Sequence, residues 1–176
     1  MRNWMLLLLT LCFASTMADV PKSSEPRKIF WDALMPKGWS PPEPAFEDFF
    51  EGPAGPALPL DQAPTVPAMN GQFVSLPGYI VPVKTVGDDL SEFLLVPYFG
   101  ACVHVPPPPP NQVILVVMKK PVHLKDPYDA YWIKGTLSTS VGKTDLAETG
   151  YTMSGESLAV FDWDATYQQE TDPPPE

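Results

Sequence analysis

The sequence predicts a mainly β protein: a small OB-like β-barrel behind a proline-rich N-terminal arm. Three observations predict it. Prolines number 24 in 176 residues, far above the usual level of about 5 %, and each one inside a helix would cost about 3 kcal/mol. Hydrophobic residues reach 44 % and aromatics 11 %, enough for a packed core. From Asn70 onward, short apolar and β-branched runs alternate with turn residues, the pattern of a barrel of the five-stranded OB type or, alternatively, of a β-sandwich. The length fits one domain.

The chain divides into four stretches. Residues 1–18 read as a cleavable signal peptide: Met1-Arg2-Asn3 is a short positive start, Trp4 to Phe13 is apolar except for Thr10, and Ala14 to Ala18 offers mostly small residues before a cut. An apolar run of that length is too short for the roughly 20 residues that span a bilayer. The expected location is therefore periplasmic, with the mature chain starting at Asp19. Residues 19–69 form the proline-rich arm, loose over 19–28 and then carrying a short helical segment, Ile29 to Met35, that Pro36 stops. A further turn or two of helix is expected around Ala45 to Phe50, with Phe46, Phe49 and Phe50 as docking points. Residues 70–167 are the β domain, and residues 168–176 a disordered tail.

Within the β domain the expected strands run in order. Gln72 to Leu76 and Tyr79 to Val83 form one bent strand kinked at Pro77-Gly78, and Phe93 to Tyr98 is the second. Gln112 to Met118 is the third and is apolar almost throughout, as a strand covered on both faces would be. That reading puts Val113, Leu115 and Val117 on one core face and Ile114 and Val116 on the other. Tyr131 to Leu137 is the fourth, with a bulge at Gly135, and Gly150 to Met153 and Leu158 to Trp163 supply one or two more.

A formal net charge of −10 argues against nucleic acid or an anionic membrane as partner. Chemistry concentrates in one place. Removal of the signal peptide takes Cys12 with it and leaves Cys102 as the sole thiol, with His104 two residues on. In an extended segment the two side chains share a side, and thiolate with imidazole suits Zn²⁺ or copper. His123 would be a third donor. The same pair could instead activate a nucleophile, or Cys102 could be a small buried hydrophobe. Pro106, Pro107, Pro108, Pro109 and Pro110 then form a stiff left-handed rod, about 15 Å long at roughly 3.1 Å per residue, leading into Asn111. No Gly-rich phosphate loop, CxxC, HExxH or GxSxG motif is present.

Leu76-Pro77-Gly78-Tyr79-Ile80-Val81-Pro82, the run from Phe93 through Phe99-Gly100-Ala101-Cys102-Val103-His104-Val105 to Pro110-Asn111-Gln112, and the opening Trp31-Asp32-Ala33-Leu34-Met35-Pro36 resemble an exported bacterial family of unknown function. Members of that family are encoded near zinc-responsive ABC transporter clusters. The resemblance implies a periplasmic accessory of zinc handling, partnered by an ABC transporter permease or a periplasmic metal-binding protein; His123 is outside its pattern. Beside this stand an adaptor that binds no metal and docks on a partner through Pro106 to Asn111, and a thiol-dependent enzyme.

Overall fold

The computed structural model describes residues 25–42, 58–101 and 107–162. The expected signal peptide, the helix expected around Ala45 to Phe50, Cys102, His104, Pro106 and the expected tail lie outside these residues. Eight strands appear among them: β1 (Arg27–Lys28), β2 (Phe73–Val86), β3 (Asp89–Val96), β4 (Ile114–Val122), β5 (Ala130–Ser138), β6 (Gly142–Lys143), β7 (Glu148–Thr149) and β8 (Tyr151–Val160). Four short 3-10 turns at Trp31–Leu34, Leu60–Gln62, Pro67–Met69 and Pro110–Gln112 are the helical content of the described residues.

The five long strands close on themselves in the order β2-β3-β4-β8-β5 and back to β2. Counted along the chain, that is first, second, third, fifth, fourth, the strand order of an OB barrel. The β4–β8 pair is parallel, with Ile114 beside Tyr151, and the other four barrel pairs are antiparallel. The expected barrel is the observed architecture, and the sandwich alternative is not.

β2 serves both halves of the barrel. Its residues Phe73 to Tyr79 pair with β5 and Tyr79 to Val86 pair with β3, so Tyr79 is where the strand changes neighbours. Pro77-Gly78 lies just before this change and β2 runs through it as one strand. On the edge that β3 has not yet reached, β1 pairs in parallel with Val74 and Ser75; Arg27 and Lys28 are thus held in the sheet, where loose chain was expected. The indole of Trp31 donates to the Pro77 carbonyl at 2.7 Å and covers the rest of that gap. The β2–β3 ladder shifts register between Pro82 and Lys84, beside a proline that has no N–H to give the ladder.

Inward side chains alternate along each strand: Val74, Leu76 and Ile80 from β2, Phe93 and Leu95 from β3, Ile114, Val116 and Met118 from β4, Tyr131, Ile133 and Leu137 from β5, and Tyr151 and Met153 from β8. Ile29, Leu34 and Met69 join the same core, so the short turn at Trp31–Leu34 docks as expected. The β4 reading needs correction. Ile114 and Val116 do face the core, but on the other side only Val113 and Leu115 are covered, within a smaller cluster with Leu94, Val96 and Ala101, while Val117 is 46 % exposed. The run is apolar, yet only its first part is buried on both faces.

The bulge expected at Gly135 is present: the β5–β8 ladder slips between Lys134 and Gly135, and the extra residue, Glu156, is on β8. A Cβ on Gly135 would stand 2.5 Å from the Ser154 carbonyl, a contact only glycine avoids. The two closing segments of the sequence reading merge into the single strand β8.

Candidate functional site

Two segments of the arm, residues 25–42 and 58–69, are fastened to one region of the barrel by three side chains. Tyr151, wholly buried, donates its hydroxyl to the Leu34 carbonyl at 2.9 Å and accepts the Val66 N–H at 2.6 Å. Burial raises its pKa above the ordinary 10.0, because a phenolate would lose its solvation there. Gln112 donates to the Trp31 carbonyl at 3.1 Å and to the Asn111 carbonyl at 3.0 Å. Asn111 donates to the Pro64 carbonyl at 2.9 Å. Its Oδ1 is buried without a hydrogen-bond donor.

This fastening sets Phe30 and Trp31 beside the place where β2 changes neighbours. Phe30, Trp31, Pro77, Gly78, Tyr79, Pro97, Ala130 and Phe161 enclose a half-open cleft of about 160 Å³. Its walls are aromatic rings, prolines and small residues, which is chemistry for burying apolar surface. Two ring ladders extend it. Trp132 packs against Phe30 at 5.7 Å and Phe161 at 5.3 Å, with Lys28 Nζ 5.5 Å from the Trp132 centroid. On the other side Tyr79 meets Phe99 at 5.9 Å, and Phe99 meets Tyr128 at 5.7 Å. Phe99 and Tyr128 are 53 % and 71 % exposed, a costly display of apolar area in water unless something covers it.

The residues singled out from the sequence fall in different places. Cys102, His104 and Pro106 lie outside the described residues. Pro107 and Pro109 are half-buried, and Pro108, Pro110 and Asn111 are buried. The rod therefore ends in a 3-10 turn, Pro110–Gln112, whose Asn111 and Gln112 side chains point into the protein and hold the arm. His123 is exposed and pairs with Asp89 at 3.4 Å. Asp89 begins β3, whereas the segment leading to Cys102 follows its end, so roughly 23 Å of strand separates them. The structure does not bring His123 to that segment. Among the described residues no group of three His, Cys, Asp or Glu side chains is placed to hold a metal ion.

OB barrels commonly bind oligonucleotides or oligosaccharides on the face of their second and third strands, here β3 and β4. Part of that face is taken up by this chain's own residues: Ala101, Val113 and Ala147 pack over Leu94 and Val96. The aromatic cleft lies elsewhere, at the change of neighbours along β2. Composition alone could not reveal it, since its lining comes from five separated stretches of chain. The one local signal was Pro77-Gly78 inside an otherwise regular strand.

Residues 31–160 match the family model described as "Protein of unknown function (DUF3299)". The fold is similar to the crystal structure of a DUF3299 family protein from Pseudomonas aeruginosa, with a TM-score of 0.66 and 34 % identity, over 79 % of this chain and 98 % of that one. The chain matches none of the curated proteins.

Proposed function

Since this chain belongs to the DUF3299 family of proteins of unknown function, we propose that it is a binding module acting outside the cytoplasm, an adaptor that receives a partner protein at the aromatic cleft. The observation that carries this reading is the joined pair of cleft and exposed rim, with Phe99 and Tyr128 turned to solvent. At about 160 Å³ the cleft is smaller than the roughly 300–1,000 Å³ of small-molecule sites, and it suits one or two anchoring side chains of a macromolecule. Export is supported by the N-terminal sequence.

Zinc handling beside an ABC transporter is the finer form of this reading. What supports it is the Cys102–His104 pair and the resemblance of the surrounding motif.

The test is photo-cross-linking in cells with a benzophenone amino acid at Phe99, at Tyr128 and, as control, at Val86, which is exposed at the end of β2. A discrete heavier adduct from the first two positions and none from Val86 is expected. Equal labelling from all three, or none, rejects the cleft as a partner site.

A further inference from the structure

We propose that the occupant of the cleft is an extended, proline-rich segment of a partner protein flanked by lysine or arginine; this rests on the reading of the cleft as a partner site and names what it binds. Three modes of peptide recognition can be compared with the geometry. Strand addition needs a free sheet edge; the barrel closes, β1 and the indole of Trp31 take the part of β2 beyond β3, and the outer edge of β1 that this leaves is two residues long, too short to seat an added strand. A docked amphipathic helix needs a groove for anchors spread over two turns, more than about 160 Å³ provides. A polyproline II segment needs neither. It makes no internal hydrogen bonds, enters already stiff, and docks its rings between aromatic side chains.

The cleft has the parts for that mode. Phe30 and Phe161 of one ladder and Tyr79 of the other stand in its walls. Peptide carbonyls freed of internal partners want donors, and the hydroxyls of Tyr79 and Tyr128 have no hydrogen-bond partner among the described residues. The stretches that line the cleft are rich in acid: Asp32 follows Trp31, Asp129 precedes Ala130, Asp162 follows Phe161, and Asp126 is two residues from Tyr128, while Lys28 stands over Trp132 of the first ladder. All four aspartates are exposed, and the whole chain carries −10. Basic flanks on the ligand complement this field, and acidic flanks are repelled by it.

The experiment titrates the purified mature protein, followed by tryptophan fluorescence and calorimetry, with three blocked peptides. The first is acetyl-Lys-Pro-Pro-Leu-Pro-Lys-amide, the second has glutamate for lysine, and the third has Gly and Ser for proline. The first should bind saturably and the second at least about tenfold more weakly, the gap closing with salt; the third should not bind. Phe99→Ala and Tyr128→Ala should each weaken the first peptide about tenfold or more. Both side chains are exposed, so melting temperatures should not move, which separates lost contact from lost fold. Binding of the Gly-Ser peptide as tight as the proline peptide, or no effect of either variant, overturns the proposal. If no peptide binds while the cross-link at Phe99 persists, the proline class is wrong and the partner site stands. If the protein ignores the peptides but co-sediments with phosphatidylcholine vesicles through Phe99 and Tyr128, the surface is a lipid contact and the proposal falls.

Discussion

Trp31 and Gly78 fit together because Gly78 has no side chain. A Cβ there would stand 3.0 Å from Cζ2 of Trp31, 2.9 Å from Cδ1 of Leu95 and 2.7 Å from the Val96 carbonyl. The backbone contact cannot give way without moving β3. Gly78→Ala should therefore cost about 1–3 kcal/mol in urea unfolding and should dislodge Trp31, read as a red-shifted fluorescence spectrum. Trp31→Phe keeps a ring but abandons the Pro77 carbonyl, at a cost of about 1 kcal/mol. A fully stable Gly78→Ala variant would show that the arm does not lie on β2.

Tyr151 ties alkaline stability to the arm. Its pKa is raised in the folded protein, so the unfolded chain loses this proton first as pH rises. The contribution is fully present below about pH 10 and is lost as pH climbs through the folded value. Tyr151→Phe should lower stability by about 1–2 kcal/mol at neutral pH, since it strands the Val66 N–H and the Leu34 carbonyl. It should also flatten the fall above pH 10. Chemical denaturation at several pH values from 7 to 11 measures both.

Two neighbours on β4 should behave in opposite ways. Val116→Asp places a carboxylate in the barrel core and should abolish folding, whereas Val117→Asp, at a position 46 % exposed, should change stability by about 0.5 kcal/mol or less. Leu115→Asp should fall between them, since Leu115 packs only partly against the outer cluster. Circular dichroism melts of the three variants decide the matter.

The zinc reading rests on Cys102 and His104 as ligands. Calorimetric titration should lose its heat in Cys102→Ser and in His104→Ala and keep it in His123→Ala, because His123 pairs with Asp89 away from the segment that leads to Cys102. Affinity should fall from pH 8 to pH 6 as protons compete for thiolate and imidazole. Loss of binding in His123→Ala would overturn the two-ligand reading.

The mature protein should begin at Asp19. Intact mass of material from the periplasm checks this, and a lipid on Cys12 or a retained N-terminus would overturn both export by a cleaved signal and the presence of a single thiol.

Much of the barrel could be read beforehand because each strand carries local marks: β-branched runs, the glycine opposite the bulge at Gly135, the bend at Pro77-Gly78. The faces of β4 could not, because Val113 to Met118 holds no polar residue to show which side meets water. Nor could the role of Asn111 and Gln112. Beside five prolines they look like surface, yet their amides bond to Pro64 and Trp31, 47 and 81 residues away in sequence. The cleft was hidden for the same reason, since its walls meet only once the barrel closes. Short-range patterns carry strands, and sites assembled from distant segments leave no such trace.

The parallel pairing of β4 with β8 has a consequence for how the chain is made. β8 is the last of the five long strands, yet it fills the place between β4 and β5, so the barrel wall stays open until residue 160 has been synthesised. Until then β4 has one free edge, and the inward rows of β2 to β5 have no sealed interior to enter. Topologies built from such remote contacts fold slowly. For the exported chain proposed above, such late closure would suit passage through a channel that takes only unfolded polypeptide.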